Sequence, residues 1–432
     1  MQMQIYAPHA VWPLAYVCLV PWLVAVCTSR NPRMVYLASY LLGATFFLVM
    51  IRWLRFSTFE GYVALGLWSG IHYVFVAWAV RHMYRHRGAV LAILVPIVWT
   101  MSELARSRTA VGFPWFLLGH SHYRILTMIQ ISDLVGAFGV SFVIAAVNGW
   151  ICDLLLQPLL IWRRHQAVRS RRVLVATVFT VAVVGATIIY GRVRLGAHAF
   201  ADGPRIAVLQ GDYALSPELL GQATEHERRE TYARLLEAAA PAHPDLFLLP
   251  ETPWPMYLNR EYRERDSIDP MLTFSRSCHE WFRDVAARTN AYVVVGSVSW
   301  EDHPTNVYPP YERFNSAFVY APHRPEPERY DKIHLVLFGE YVPFRYGRLH
   351  FVYRKLNGMT PWGASGFEYS LTAGTDHTVF EMHAPSQDGQ TYHFAVPICY
   401  EDAIPELVSA FVTDPQTGGK RVDFLLNISN DG

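Results

Sequence analysis

Six long apolar runs occupy the first half of the chain, at roughly residues 11–28, 35–51, 60–80, 88–105, 134–161 and 173–190. Each is near the ~20 residues an α-helix needs to cross the ~30 Å hydrocarbon core of a bilayer. One such run alone would suit a buried helix of a large soluble protein. Six in succession, with arginine confined mostly to the connectors, predict a multi-pass α-helical membrane domain of about six helices over residues 1–192. The run at 88–105 is the least clean, since Glu103 near its end has to sit at the interface or face the bundle interior. The run at 11–28 starts late and lacks the basic leader of a cleaved signal peptide.

From Pro204 the period changes. Short Val/Ile/Leu/Phe-rich runs at 205–210, 245–250, 292–300, 316–320, 378–383, 392–398 and 422–428 predict strands, and helical patterns at 224–239 and 275–289 lie between the early ones. Alternation of this kind predicts an α/β domain over residues 193–432. The stretches 301–312 and 321–328 are predicted loops, and the charged segment 260–270 a surface insertion or lid. No glycine-rich phosphate loop joins a strand to a helix, because Gly418–Gly419 precedes a strand instead.

Charge sharpens this division. Residues 1–200 hold 17 Arg and no Lys against Glu60, Glu103, Asp133 and Asp153, while residues 201–432 carry 20 basic and 32 acidic side chains. The overall +1 hides an apolar, arginine-punctuated half and an acidic, soluble-looking half. Arg81, Arg85 and Arg87 in one connector, and Arg163, Arg164, Arg169, Arg171 and Arg172 in another, are expected to stay cytoplasmic. A further crossing at 173–190 then delivers the α/β domain to the opposite, extracytoplasmic side. The connector from Arg106 to Arg124 falls on that outer face with three arginines, so the rule holds by bias. Only Cys278 and Cys399 of the five cysteines lie outside the apolar runs, enough for one disulfide but not a framework. No metal-ligand spacing appears, and neither half has an aromatic-interleaved basic stripe; no cofactor, metal or nucleic acid is expected.

Three places set reactive side chains where strands should end. Glu251 follows Leu248-Leu249-Pro250 and is pinned by Pro253 and Pro255. Lys332, one of only three lysines, stands in Tyr330-Asp331-Lys332-Ile333-His334-Leu335-Val336-Leu337-Phe338-Gly339-Glu340-Tyr341. Cys399 ends an apolar strand in Val396-Pro397-Ile398-Cys399-Tyr400-Glu401-Asp402, ahead of a helical pattern at 404–411. A thiol at such a junction is reachable by substrate and near a helix N-terminus. Taken singly, these residues fit equally a surface carboxylate, an accident of composition and a buried structural thiol.

Together they resemble the nitrilase (carbon–nitrogen hydrolase) superfamily, and the whole chain resembles its membrane branch, the apolipoprotein N-acyltransferases. Glu251, Lys332 and Cys399 match the family's three motifs in order, and the closing Leu425–Gly432 stretch matches the strand after its nucleophile. Gly112-Phe113-Pro114-Trp115, Leu117-Leu118-Gly119 and the segment Leu134–Ser141 resemble its membrane half. Leu337 stands where the family usually has Pro, and Asp402-Ala403-Ile404-Pro405 replaces a more apolar stretch. The resemblance implies an α-β-β-α sandwich beside the membrane helices. It implies Cys399 as nucleophile, Glu251 as general base, and Lys332, with a backbone N–H near Tyr400, stabilising the oxyanion; Glu340, Tyr400 and Glu401 are supporting residues. It further implies a phospholipid acyl donor, with phosphatidylethanolamine the one expected, and the N-terminal amine of a diacylglyceryl-cysteine lipoprotein as acceptor. The expected place is the bacterial inner membrane, amid membrane lipids. Set against the family, the chain is expected to lack a first helix and the domain's last strands. A membrane-anchored amidase or hydrolase using water is the alternative within the superfamily; a scaffold or transporter-like bundle is the alternative outside it.

Overall fold

The computed structural model describes residues 1–56, 59–108, 112–160, 166–197, 201–213, 224–302, 311–358 and 370–430. Arg163 and Arg164 of the basic connector, most of the loop at 301–312, and Asp431 and Gly432 lie outside the described residues. The chain divides into two compact units, Met1–Phe200 and Ala201–Gly432.

In the first unit α1 spans Val20–Thr28, α2 Pro32–Met50, α3 Phe59–Arg87, α4 Leu91–Arg108, α5 Leu126–Ile129, α6 Ser132–Leu160 and α7 Gln166–Gly196. Four of these, α2, α3, α6 and α7, are long and apolar enough to cross a membrane. The expected first crossing is not one continuous helix. It begins as a 3-10 turn at Trp12–Tyr16 and restarts as the nine-residue α1, with Pro13 and Pro21 at the two starts. Backbone groups freed by such a break need partners at depth. Asn148 of α6 supplies them: its Oδ1 accepts from Leu19 N at 3.0 Å and its Nδ2 donates to Ala15 O at 2.8 Å. Glu103 faces the bundle interior, where its Oε1 accepts from Trp99 Nε1 at 2.8 Å and Leu118 N at 2.7 Å. Arg106, one turn on, donates to Phe113 O and Trp115 O at 2.6 and 2.7 Å, so the two charged residues hold the non-helical stretch after α4.

In the second unit the strands are β1 (Ile206–Val208), β2 (Leu246–Leu248), β3 (Tyr292–Asp302), β4 (Tyr311–Tyr320), β5 (Glu328–Asp331), β6 (Phe380–Ala384), β7 (Gln390–Ala395) and β8 (Phe424–Leu425). The helices are α8 (Glu225–Ala239), α9 (Arg260–Arg263), α10 (Pro270–Thr289), α11 (His350–Asn357) and α12 (Pro405–Val412). One sheet runs β1-β2-β3-β4-β5, parallel for its first three strands and antiparallel thereafter; the other runs β6-β7-β8. Within the expected lid, α9 forms one turn. Strand β4 starts earlier than its apolar run suggests, because Tyr311–Asn315 pair with Val298–Asp302 in one long hairpin.

Residues alternate between two cores. Phe247, Val293, Val295, Phe318 and Tyr320 face a helical layer in which α10 presents Cys278, Phe282, Val285 and Ala286. Leu246, Leu248, Val294, Ala317 and Val319 face the second sheet and meet Phe380, Met382, Phe394 and Val396. Helix α10 has its apolar residues three and four apart, is capped by Asp269 on Met271 N at 2.9 Å, and stops at the left-handed Asn290. Asp245 ties the sheets together by accepting from Arg205 N at 2.7 Å and Ser386 N at 2.8 Å.

Candidate active site

Glu251 stands three residues past β2, where the chain keeps pairing as it leaves the sheet. Leu249 N donates to Val294 O at 2.8 Å, and Gly296 N donates to Pro250 O at 3.2 Å. Gly296 permits this approach, since a Cβ there would lie 2.6 Å from Glu251 Cα and 2.7 Å from Thr252 N. Thr252 turns in the left-handed region (φ 39°). Asn430 Nδ2 holds the Glu251 carbonyl at 3.2 Å.

Lys332 follows β5 and is 1 % exposed. Its backbone is held on both sides, by Asn315 O at 2.8 Å and Gly374 N at 2.8 Å. The ammonium lies 2.8 Å from Glu340 Oε1 and 3.8 Å from Glu251 Oε1. Asn315 of β4 sits between the carboxylates, its Nδ2 donating to Glu251 Oε1 at 2.6 Å and Glu340 Oε1 at 2.9 Å. Glu340 also accepts from Val336 N at 2.8 Å, which closes the loop carrying it.

Cys399 comes four residues after β7, at the head of a 3-10 turn, and adopts φ +54°. An L-residue held in this region stores strain and lifts its side chain out of the strand line. The partners that impose it are Ile428 O, which accepts from Cys399 N at 2.7 Å, and the parallel bridge Ile398–Ile428. The thiol is hydrogen-bonded to Glu251. The arithmetically possible disulfide with Cys278 is not formed, and the Cys278 sulfur instead receives Trp254 Nε1 at 3.4 Å.

Glu401 does not touch the lysine side chain; it braces the backbone behind it. Fully buried, it accepts from Ile333 N at 2.7 Å, His334 N at 3.0 Å, Ile398 N at 2.8 Å and the Tyr330 hydroxyl at 2.8 Å. The segments bearing Lys332 and Cys399 are thereby fastened to one carboxylate. The Tyr400 ring lies 5.8 Å from that of His334.

Electrostatics follow from burial and crowding. Burial pushes the Glu251 carboxyl above the usual carboxylate range; Glu340 adds repulsion, and Lys332, Asn315 and Cys399 pull back only in part. Burial alone would lower Lys332, but Glu340, Glu251 and Cys399 outweigh it and hold the ammonium well above its ordinary value. Burial also raises Glu401, against the pull of its backbone and tyrosine donors. A thiol, a carboxylate that can accept its proton and a fixed cation therefore share one small volume, the set that nucleophilic acyl chemistry needs. Asn315 and Gly296 had no place in the sequence reading. Asn315 left one trace, a polar residue within a strand that is otherwise largely buried; Gly296 left none.

Family comparison bears on both units. Residues 2–150 match the Apolipoprotein N-acyltransferase N-terminal domain and residues 205–415 match Carbon-nitrogen hydrolase. The chain belongs to the apolipoprotein N-acyltransferase family. It is 28% identical to the apolipoprotein N-acyltransferase of Geobacter metallireducens, over 97% of this chain and 73% of that one. With the Haemophilus influenzae enzyme of the same name it shares 24%, over 99% and 74%. The chain thus spans about three quarters of the length of these relatives. Among solved structures, a CN-hydrolase superfamily protein from Xanthomonas campestris aligns at TM-score 0.32 and 20% identity, covering 53% of this chain and 66% of that one. An amidase from Nesterenkonia sp. aligns at TM-score 0.30 and 15% identity, covering 54% and 68%. The chain is a membrane protein of this N-acyltransferase family, with a nitrilase-like second unit.

Proposed function

We propose that this N-acyltransferase moves an acyl chain from a phospholipid to the N-terminal amine of a diacylglyceryl-cysteine lipoprotein through a thioester on Cys399. The observation that carries the reading is the convergence of Cys399, Glu251 and Lys332 in a chain of this family. Glu251 takes the thiol proton, and the sulfur attacks the ester carbonyl carbon of the donor. Lys332, held protonated, stabilises the oxyanion. The carbon–oxygen bond breaks, the lysolipid alcohol leaves with the proton from Glu251, and the thioester remains. The acceptor amine then attacks; Glu251 takes its proton, and an amide forms as the thiolate leaves. Glu340 and Asn315 hold the base and cation in place, and Glu401 holds the two loops.

The membrane unit gives this chemistry a reason to occur at a bilayer. Withdrawing an acyl chain fully into water costs about 0.8 kcal/mol per CH₂. We place the protein in the bacterial inner membrane with its second unit outside the cytoplasm, on the strength of the arginines in the connectors at 81–87 and 163–172. Reporter fusions after Arg87 and after Arg205 should report cytoplasmic and extracytoplasmic positions respectively; the reverse pattern would remove this placement.

Mass spectrometry of the protein mixed with phospholipid alone should find an acyl adduct on Cys399, absent in Cys399→Ala. Surviving N-acylation in Cys399→Ala would refute the nucleophile. Amide hydrolysis without transfer by the intact protein would favour the amidase alternative.

A further inference from the structure

Beyond the reactive cluster, the second unit carries a cleft of about 440 Å³, bordered by Tyr257, Tyr262, Arg265, Ser267, Asp269 and Trp300. That size lies within the range of ligand clefts. Its walls are aromatic and its polar groups converge. The rings of Tyr257 and Tyr262 lie 4.4 Å apart, Trp300 stacks on Tyr311 at 3.9 Å, and the Arg265 guanidinium sits 5.5 Å from the Trp300 ring. Trp300 Nε1 is enclosed and has no hydrogen-bond partner among the described residues. A buried donor left in this state costs roughly 1–3 kcal/mol.

Strand register relates the cleft to the reaction centre. Val298 pairs with Asn315, the residue between the two carboxylates, and Trp300 pairs with Arg313. Residues two apart on a strand share a face, so Trp300 stands on the Asn315 face, about 7 Å further along. Tyr257 bridges to Val298 and starts the cleft level with Asn315. An extended peptide advances about 3.3 Å per residue, so two residues cover that interval.

We propose that this cleft receives the polypeptide that follows the acylated N-terminal residue of the acceptor, to a depth of two or three residues. The inference rests on the acyl-transfer reading above. Peptide suits the walls better than lipid, because Tyr, Trp and Arg with a serine hydroxyl are the side chains that recognise protein surfaces. The partly exposed Arg265 guanidinium is a donor for peptide carbonyls, and the rings, Trp300 among them, cover the side chains beside it. The cleft acts on the second half of the reaction only, since the phospholipid donor has no such chain.

Two acceptors separate the halves: diacylglyceryl-cysteine amide, and the same residue extended by four uncharged amino acids. Acyl transfer to each is measured as kcat/KM, and thioester formation from phospholipid is measured separately. The intact protein should favour the longer acceptor by about ten-fold, a typical contribution of a buried aromatic anchor. Trp300→Ala and Arg265→Ala should abolish that preference while leaving thioester formation and transfer to the single-residue acceptor unchanged. Arg265 is a partly exposed side chain, so its variant tests the idea even where Trp300→Ala folds poorly. A preference that persists in Arg265→Ala, or an equal loss with both acceptors, overturns the inference. An intact protein that forms thioester but ignores acceptor length also overturns it. No thioester at all would instead bring down the acyl-transfer reading.

Discussion

Replacing Glu401 with Gln exchanges one carboxylate oxygen for an NH₂ and removes the charge while keeping the shape, which makes it a sharp probe of the brace between the two reactive loops. In the native site one oxygen accepts from Ile333 N and His334 N, the other from Ile398 N, and the Tyr330 hydroxyl reaches both. A glutamine that keeps its oxygen on the first pair must point its NH₂ at Ile398 N, donor against donor. One buried N–H is then stranded, at about 1–3 kcal/mol, and the remaining bonds lose their charge assistance, worth roughly another 1–2 kcal/mol. The sum is about 3 kcal/mol. For a unit of this size that lowers the melting temperature by on the order of 10 °C. The functional effect should be larger, because Ile398 precedes Cys399 and Ile333 follows Lys332. A shift near 1 Å between nucleophile and cation costs about a hundred-fold in rate. Thermal unfolding in detergent and the rate of thioester formation measure the two effects. A variant that keeps its melting temperature within 2–3 °C, about 1 kcal/mol for such a unit, and forms thioester within two-fold of the native rate would refute the brace.

Three further outcomes follow from the geometry. Gly296→Ala puts a methyl group into the backbone of Glu251 and Thr252, and thioester formation should fall by about a hundred-fold. Stopped assays of acyl-enzyme would detect this, and a native rate would show that the loop yields freely. Because Glu251 is raised by burial and works as a base only when ionised, the acid limb of the pH–rate profile should lie above the ordinary carboxylate range. Activity should fall as pH drops through that raised value; a limb near pH 4 would contradict it. Lys332, raised further, sets no limb below the ordinary lysine range. Asn315→Asp brings a third carboxylate against Glu251 and Glu340, and should move that acid limb higher still while cutting the rate more than ten-fold. An unmoved limb would mean that Asn315 does not govern the charge state of Glu251.

What could be read from residue order alone was whatever is local. Apolar runs near 20 residues announced the membrane helices, and a reactive side chain just after an apolar strand drew the eye to Glu251 and Cys399. The break inside the first run was foreshadowed by Pro13 and Pro21, but its tolerance depends on Asn148, more than a hundred residues away. Strand β5 escaped notice because Glu328-Arg329-Tyr330-Asp331 is polar on one face, with Arg329 paired to Glu301 and Asp331. Asn315 and Gly296 matter only through strand register, which places one beside two carboxylates and the other under a turning backbone. Glu401 was legible only as a supporting residue; its bonds to backbone N–H groups could not be seen without the turn that folds over it.

The dependence of Cys399 on Ile428, and of Glu251 on Asn430, also has a meaning in time. Asn430 and Glu251 are 179 positions apart. At a synthesis rate near 10 residues per second, on the order of 20 s separates the emergence of the base from that of Asn430. The thiol itself emerges late in that interval, and until Ile428 follows it there is no carbonyl to bend it and no finished cluster to activate it. A newly made chain therefore carries its reactive cysteine unbraced until the segment from Ile428 to Asn430 reaches its partners.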